Sequence, residues 1–144
     1  MIKYLSLKEV KEICFTLVVN LMRFNEPIPE FETRFKGKLE SILSLPTQFA
    51  FGQELYPSLE EKAACYLYFI IKDHPFMNGN KRLAIVTTDV FLSLNGNRLD
   101  PHWKEIYDFA LHIAQNNTTE HKTQFLKVVH FIAKHTTFLP SQKT

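Results

Sequence analysis

Two stretches of this chain, Leu59 to Ile71 and Leu83 to Leu94, carry apolar residues at helical spacing, and only a short segment separates them. Leu59, Ala63, Leu67, Ile70 and Ile71 define one buried face, and Leu83, Val86, Val90, Phe91 and Leu94 define another. Ser58-Leu59-Glu60-Glu61, behind Pro57, has the form of a capping box that starts the first helix. Pro75 stops it, because the proline ring removes a donor and clashes with the preceding turn. Asn95-Gly96 stops the second with a residue suited to left-handed backbone. A chain that must bury two such helices is committed to a helical core, and the one after the short loop is expected at its centre.

The remaining sequence extends this pattern. Ser6-Leu7-Lys8-Glu9 is another capping box, followed by Leu7, Val10, Cys14, Leu17 and Leu21 on one face. Glu26-Pro27-Ile28-Pro29 reads as a loop, since closely spaced prolines favour extended backbone. Phe35, Leu39, Ile42 and Leu43 suggest a second helix ended by Pro46, and the aromatic stretch from Phe49 to Tyr56 around Gly52 reads as a flap or hairpin. Asp100-Pro101 resembles an N-cap with proline at the first helical position, leading into Trp103, Ile106, Phe109, Ala110 and Ile113. Phe125, Val128, Val129 and Ile132 mark a last helix, and the polar residues after Pro140 are expected to be disordered. No internal repeat, low-complexity segment or sustained β alternation is present. The expectation is one all-α domain over residues 1–144, with about six helices and a short flap before the third.

Composition narrows the function classes. A content of 45% hydrophobic and 13% aromatic residues fills one core in a chain of 144 residues. With 17 basic and 15 acidic residues, the formal net charge of +2 creates no field for nucleic acid or anionic membrane. No apolar run is long enough to span a bilayer and no leader pattern is visible, so the expected location is the cytoplasm. Cys14 and Cys65 each lie in an apolar helical pattern and read as reduced core thiols. There is no P-loop and no His-Glu-x-x-His; His112, His121, His130 and His135 read as helix-surface or boundary positions.

The chemistry concentrates in the connecting loop, His74-Pro75-Phe76-Met77-Asn78-Gly79-Asn80-Lys81-Arg82. A glycine followed by polar residues at a helix start leaves backbone N–H groups pointing outward, which favours an anion, and Lys81 and Arg82 add charge. His74, at the other end of the loop, is the residue type best suited to take a proton near neutral pH. Phe76 reads as an anchor driven into the core, and Asn78 offers an oxygen to a metal ion bridging phosphates. Taken singly, each has an ordinary alternative as a cap, a turn or a solvated basic pair; together they outline a polyphosphate pocket beside a base.

The loop resembles the signature of the Fic family: His-Pro-Phe, any residue, Asp or Glu, Gly-Asn, Gly or Lys, Arg. Only Asn78 departs from it. Lys81 is similar to the Doc, or death-on-curing, branch, and the likeness extends through Tyr4-Leu5-Ser6-Leu7, through Glu54 to Ala63, and through Phe91 to Gly96, covering roughly residues 4–100.

The resemblance implies a nucleotide-using transferase with His74 as general base toward a protein hydroxyl. It implies Gly79, Asn80 and Lys81 lining an anion hole, Arg82 neutralising transferred phosphate and Phe76 packing inward. ATP or another nucleoside triphosphate would be co-substrate, with Mg²⁺. Most of the family moves AMP, whereas the Doc branch is associated with phosphate transfer to elongation factor Tu. Lys81, and Ile85 where AMP-transferring members often have arginine, favour phosphotransfer; AMP transfer stays the alternative. Asn78, replacing the acidic Mg²⁺ ligand, implies a slower enzyme or a catalytically impaired binding protein. The self-inhibitory Ser/Thr-x-x-x-Glu-Gly/Asn pattern is absent, so the toxin analogy implies a separate antitoxin as partner. The flap residues Phe49, Phe51, Leu55 and Tyr56 are a candidate surface for a target segment, with core packing as the other reading. The sequence says nothing of oligomeric state.

Overall fold

The computed structural model describes residues 1–21, 29–100 and 102–140. Most of the expected loop at 26–29, Pro101 and the tail 141–144 lie outside the described residues. Six α-helices and two short antiparallel strand pairs make up the described fold, as expected for a Fic-type all-α domain.

Helix α1 is composite, with α-helical ends Leu7–Glu9 and Thr16–Leu21 flanking a π-helical segment Val10–Phe15. Its capping box forms as expected. The Ser6 hydroxyl accepts from the Glu9 N–H at 3.2 Å, and the Glu9 carboxylate accepts from the Ser6 N–H at 3.0 Å. A π-helical turn holds more residues than an α-helical one. The buried stripe therefore runs through Val10, Cys14 and Val18, leaving Leu17 only half-buried.

Helix α2, Lys38–Ser44, starts at Gly37, which has a φ of 83°. Phe35, expected on its buried face, lies before that start and is exposed. A 3-10 turn, Leu45–Thr47, contains the buried Pro46 and ends the helix as expected. The stretch after it forms a hairpin of β1, Phe49–Ala50, and β2, Gln53–Glu54, pairing Phe49 with Glu54 and Ala50 with Gln53. Phe51 and Gly52 at its tip both have positive φ, 53° and 78°. Two-residue turns of that hand match the twist of their flanking strands.

Helices α3, Leu59–Asp73, and α4, Asn80–Leu94, flank the short loop. Every side chain from Lys62 to Tyr68 is buried, as are Ile70 and Ile71. A helix covered on all sides belongs at the centre of a domain. Accordingly α3 packs on α2 and α4 and on two later helices, α5, Trp103–Gln115, and α6, His121–His135. The helix after the loop, expected at the centre, shares that place with α3.

The strands β3, Asn97–Leu99, and β4, Thr136–Phe138, pair antiparallel and were not legible, because three residues are too few to show alternation. Asp100 serves this ribbon, donating its N–H to the His135 carbonyl at 2.7 Å. It does not cap α5; His102 does, accepting from the Lys104 N–H at 3.4 Å. At the end of α4, Gly96 takes the left-handed conformation while Asn95 grips the N-terminal segment. Its carboxamide accepts from the Lys3 N–H at 2.8 Å and donates to the Lys3 and Phe91 carbonyls, both at 2.9 Å.

Cys14 and Cys65 are buried free thiols, and burial raises their pKa from 9.0 to about 11 and about 12. The folded state keeps these protons after the unfolded chain has lost them. Their contribution to stability is therefore flat below the ordinary thiol pKa of 9.0 and declines as pH rises from there toward 11 and 12. Urea denaturation across that range should show a falling midpoint, and an alkylating reagent at mildly alkaline pH should label neither cysteine until the protein is unfolded.

Candidate active site

His74 ends α3 in the left-handed region, with φ 49° and ψ 69°. For a residue with a Cβ this conformation costs roughly 1–2 kcal/mol, and it persists only where neighbours fix it on both sides. The segment around α2 does so. The Lys38 ammonium donates to the Asp73 carbonyl at 3.0 Å, and the Phe35 N–H donates to the Pro75 carbonyl at 2.8 Å. The His74 side chain is left exposed, beside an open groove of about 610 Å³ bordered by Lys36, Lys38, Ser41 and Lys72.

Two residues on, the chain turns inward. Phe76 is buried, its ring 5.5 Å from that of Phe15 and 5.8 Å from that of Phe31, which lie 5.3 Å from each other. Burying a phenylalanine is worth about 1.5–3 kcal/mol, enough to draw in a loop whose flanking residues Met77 and Asn78 stay exposed. The backbone of Phe76 goes in with its ring and needs partners. Asn80 supplies both: its Oδ1 accepts from the Phe76 N–H at 3.0 Å, and its Nδ2 donates to the Phe76 carbonyl at 2.7 Å.

Gly79 is the N-cap of α4, with φ 81°, and has no side chain to cap the helix. The first described helical bond there runs from the Leu83 N–H to the Gly79 carbonyl at 2.9 Å. Asn80, Lys81 and Arg82 thus form the first turn, where backbone N–H groups have no acceptor within the helix. Lys81 is half-buried and Arg82 is buried.

The anticipated residues therefore occupy one loop and the helical turn that closes it. Phe76 is buried against Phe15 and Phe31. Asn80 stands on the expected turn, but its side chain is spent on the Phe76 backbone, so toward an anion it has only its own N–H to offer. Among the described residues no group of three His, Cys, Asp or Glu side chains could hold a metal. Asn78 brings one neutral oxygen. Such a donor set fits a Mg²⁺ ion carried in on polyphosphate and does not fit a resident metal. His112, His121 and His130 are exposed, and half-buried His135 lies between the Phe131 carbonyl and Glu105, consistent with surface and boundary roles.

Sequence reasoning missed the scaffold around the loop: Phe15, Phe31, Phe35 and Lys38. Phe15 offered a clue, since a large aromatic residue off the apolar stripe of α1 needs cover of its own.

An exposed histidine in strained backbone, a buried phenylalanine and a first helical turn carrying two cations thus share the short connection between α3 and α4. The chain belongs to the Fic/DOC family, whose model matches residues 4–92, from the N-terminal segment through α4. Among characterised relatives, the toxin Doc of Mycolicibacterium smegmatis is 34% identical over 70 residues, covering 49% of this chain and 54% of that toxin. The match thus spans about half the length of that relative. No solved structure gives a significant match.

Replacing Asn80 by Ala should leave the buried N–H and carbonyl of Phe76 unpaired and destabilise the fold by about 2–6 kcal/mol, about 1–3 kcal/mol for each group. Urea denaturation measures this cost. Asn80→Asp should not restore stability, because an ionised carboxylate cannot donate to the carbonyl.

Proposed function

We propose that this protein is a Doc-like toxin that moves the terminal phosphate of a nucleoside triphosphate, ATP in the first instance, to a Ser or Thr hydroxyl of a target protein. Lys81 carries the reading: it stands in the first turn of α4, after the uncapped Gly79, in the Doc form of the motif. Elongation factor Tu is the first target to test, by analogy with the Doc branch, and a target in translation implies action in the cytoplasm.

In this reading the imidazole of His74 takes the proton of the target hydroxyl, and the freed oxygen attacks the terminal phosphorus. The bond to the bridging oxygen breaks, and the nucleoside diphosphate leaves. Catalysis of this kind depends mostly on positioning and on spreading the charge of the phosphate oxygens. The N–H groups of the first α4 turn, with Lys81 and Arg82, are suited to that task. Mg²⁺ arriving with the nucleotide would neutralise further phosphate charge, with the Asn78 amide oxygen as the protein's ligand. A neutral ligand holds it less well than a carboxylate, so turnover is expected to be slow.

The hairpin is the natural edge for a target segment, since Phe49 and Phe51 point their rings to solvent. Restraint of a toxin of this kind falls to a separate antitoxin. Asn78 favours one second reading, a nucleotide-binding protein without turnover.

Incubation with elongation factor Tu and ATP labelled at either the γ or the α phosphate tests the proposal. Label from the γ position alone is expected; label from the α position selects AMP transfer, and nucleotide binding without transfer selects the impaired reading. His74→Ala should slow labelling by about 10²–10⁴-fold, the usual contribution of a general base. Asn78→Asp should raise the rate and lower the Mg²⁺ concentration needed; an unchanged Mg²⁺ dependence would remove Asn78 from the metal site.

A further inference from the structure

Lys62 is only 1% exposed, one turn into α3 and among core side chains. An ammonium taken out of water costs several kcal/mol unless it is paired and hydrogen-bonded. Both of its hydrogen-bond partners belong to the hairpin or the chain leaving it. The ammonium donates to the Glu54 carboxylate at 3.1 Å and to the Tyr56 carbonyl. It also lies over the Tyr4 ring, 5.9 Å from its centroid, and Tyr4 stacks on Phe91 of α4 at 6.3 Å.

Apart from the Tyr56 ring, which packs 5.4 Å from that of Phe125, the described contacts that orient the hairpin are few. Its described backbone pairing amounts to two residue pairs and the bond from the Leu55 N–H to the Gln48 carbonyl. Phe49, Phe51 and Leu55 are 66%, 104% and 46% exposed, so they contribute little packing. For stability alone a buried lysine is a poor choice, since an apolar side chain of similar volume often does as well or better there. For direction it is a good one, because hydrogen bonds constrain angle as well as distance.

We propose that Lys62 is a positioning residue that fixes the flap to the α3–α4 frame. It thereby holds the ribbon edge in constant relation to His74, about three turns further along the same helix. This rests on the reading in which the flap receives the target segment. Its physical half, that Lys62 orders the hairpin, stands independently of the reaction.

Lys62→Met keeps the length and removes the charge. Amide hydrogen exchange over residues 49–56 should accelerate by more than about tenfold, since tenfold corresponds to one charge-assisted hydrogen bond and Lys62 makes two, with exchange in α4 unaltered. In the transfer assay KM for the target protein should rise by a similar factor, while kcat and the Kd for ATP stay at the wild-type values. Unchanged hairpin exchange overturns the anchor. Faster exchange with an unaltered KM overturns its part in docking. Should Lys62→Met fail to fold, Glu54→Ala, at a partly exposed position, removes one partner and should accelerate exchange to a lesser degree; no acceleration there overturns the proposal too. Wild-type protein inactive toward every target sinks the reading of the reaction and leaves the exchange result standing.

Discussion

Asn80 exchanges two hydrogen bonds with the backbone of Phe76, and the shape of the loop depends on that exchange. Between His74 and Gly79 the chain can follow neither helix nor strand, for both residues hold positive φ and Pro75 has no donor. Phe76 must nevertheless be buried, and an unpaired amide or carbonyl buried with it would cost about 1–3 kcal/mol each. One carboxamide answers both needs, because it carries a donor and an acceptor at the spacing of a peptide group. The ring's burial, worth about 1.5–3 kcal/mol, together with this satisfaction outweighs roughly 1–2 kcal/mol of strain at His74. The exposed imidazole is thus held in place by residues that face away from it.

What could be read from the chain followed from strong periodicity and strong punctuation. The helical periods of α3 and α4, the Ser6 capping box, the Ser58 N-cap and the Gly96 stop are determined within a few residues of themselves, so local sequence suffices. The buried face of α4 runs instead through Leu83, Ala84, Thr87, Thr88, Phe91 and Leu92, leaving Val86, Val90 and Leu94 half-buried. The Glu61 carboxylate meets the Ser58 hydroxyl in place of the Ser58 N–H. The hairpin at Phe49–Glu54 was legible for the same reason, since Gly52 admits the turn. The errors arose where distant parts of the fold decide. The π-helical segment in α1 moved the buried stripe to Val18, Gly37 delayed α2 past Phe35, and the β3–β4 ribbon claimed Asp100.

The site shows the same division. His74, Phe76, Gly79, Lys81 and Arg82 could be singled out because the motif packs them into one loop, and the family match over residues 4–92 includes that loop. The carboxamide role of Asn80 could not be read, because a polar side chain in a first helical turn looks the same whether it faces a ligand or its own loop. Nor could the cage of Phe15 and Phe31, which comes from segments more than forty positions upstream of Phe76.

Helix α4 carries an asparagine at each end, and each grips the backbone of a passing segment: Asn80 the loop before the helix, Asn95 the segment around Lys3. A rod pinned at both tips transmits displacement along its length instead of absorbing it. A shift imposed on the first few residues of the protein would therefore be felt at the bend around His74.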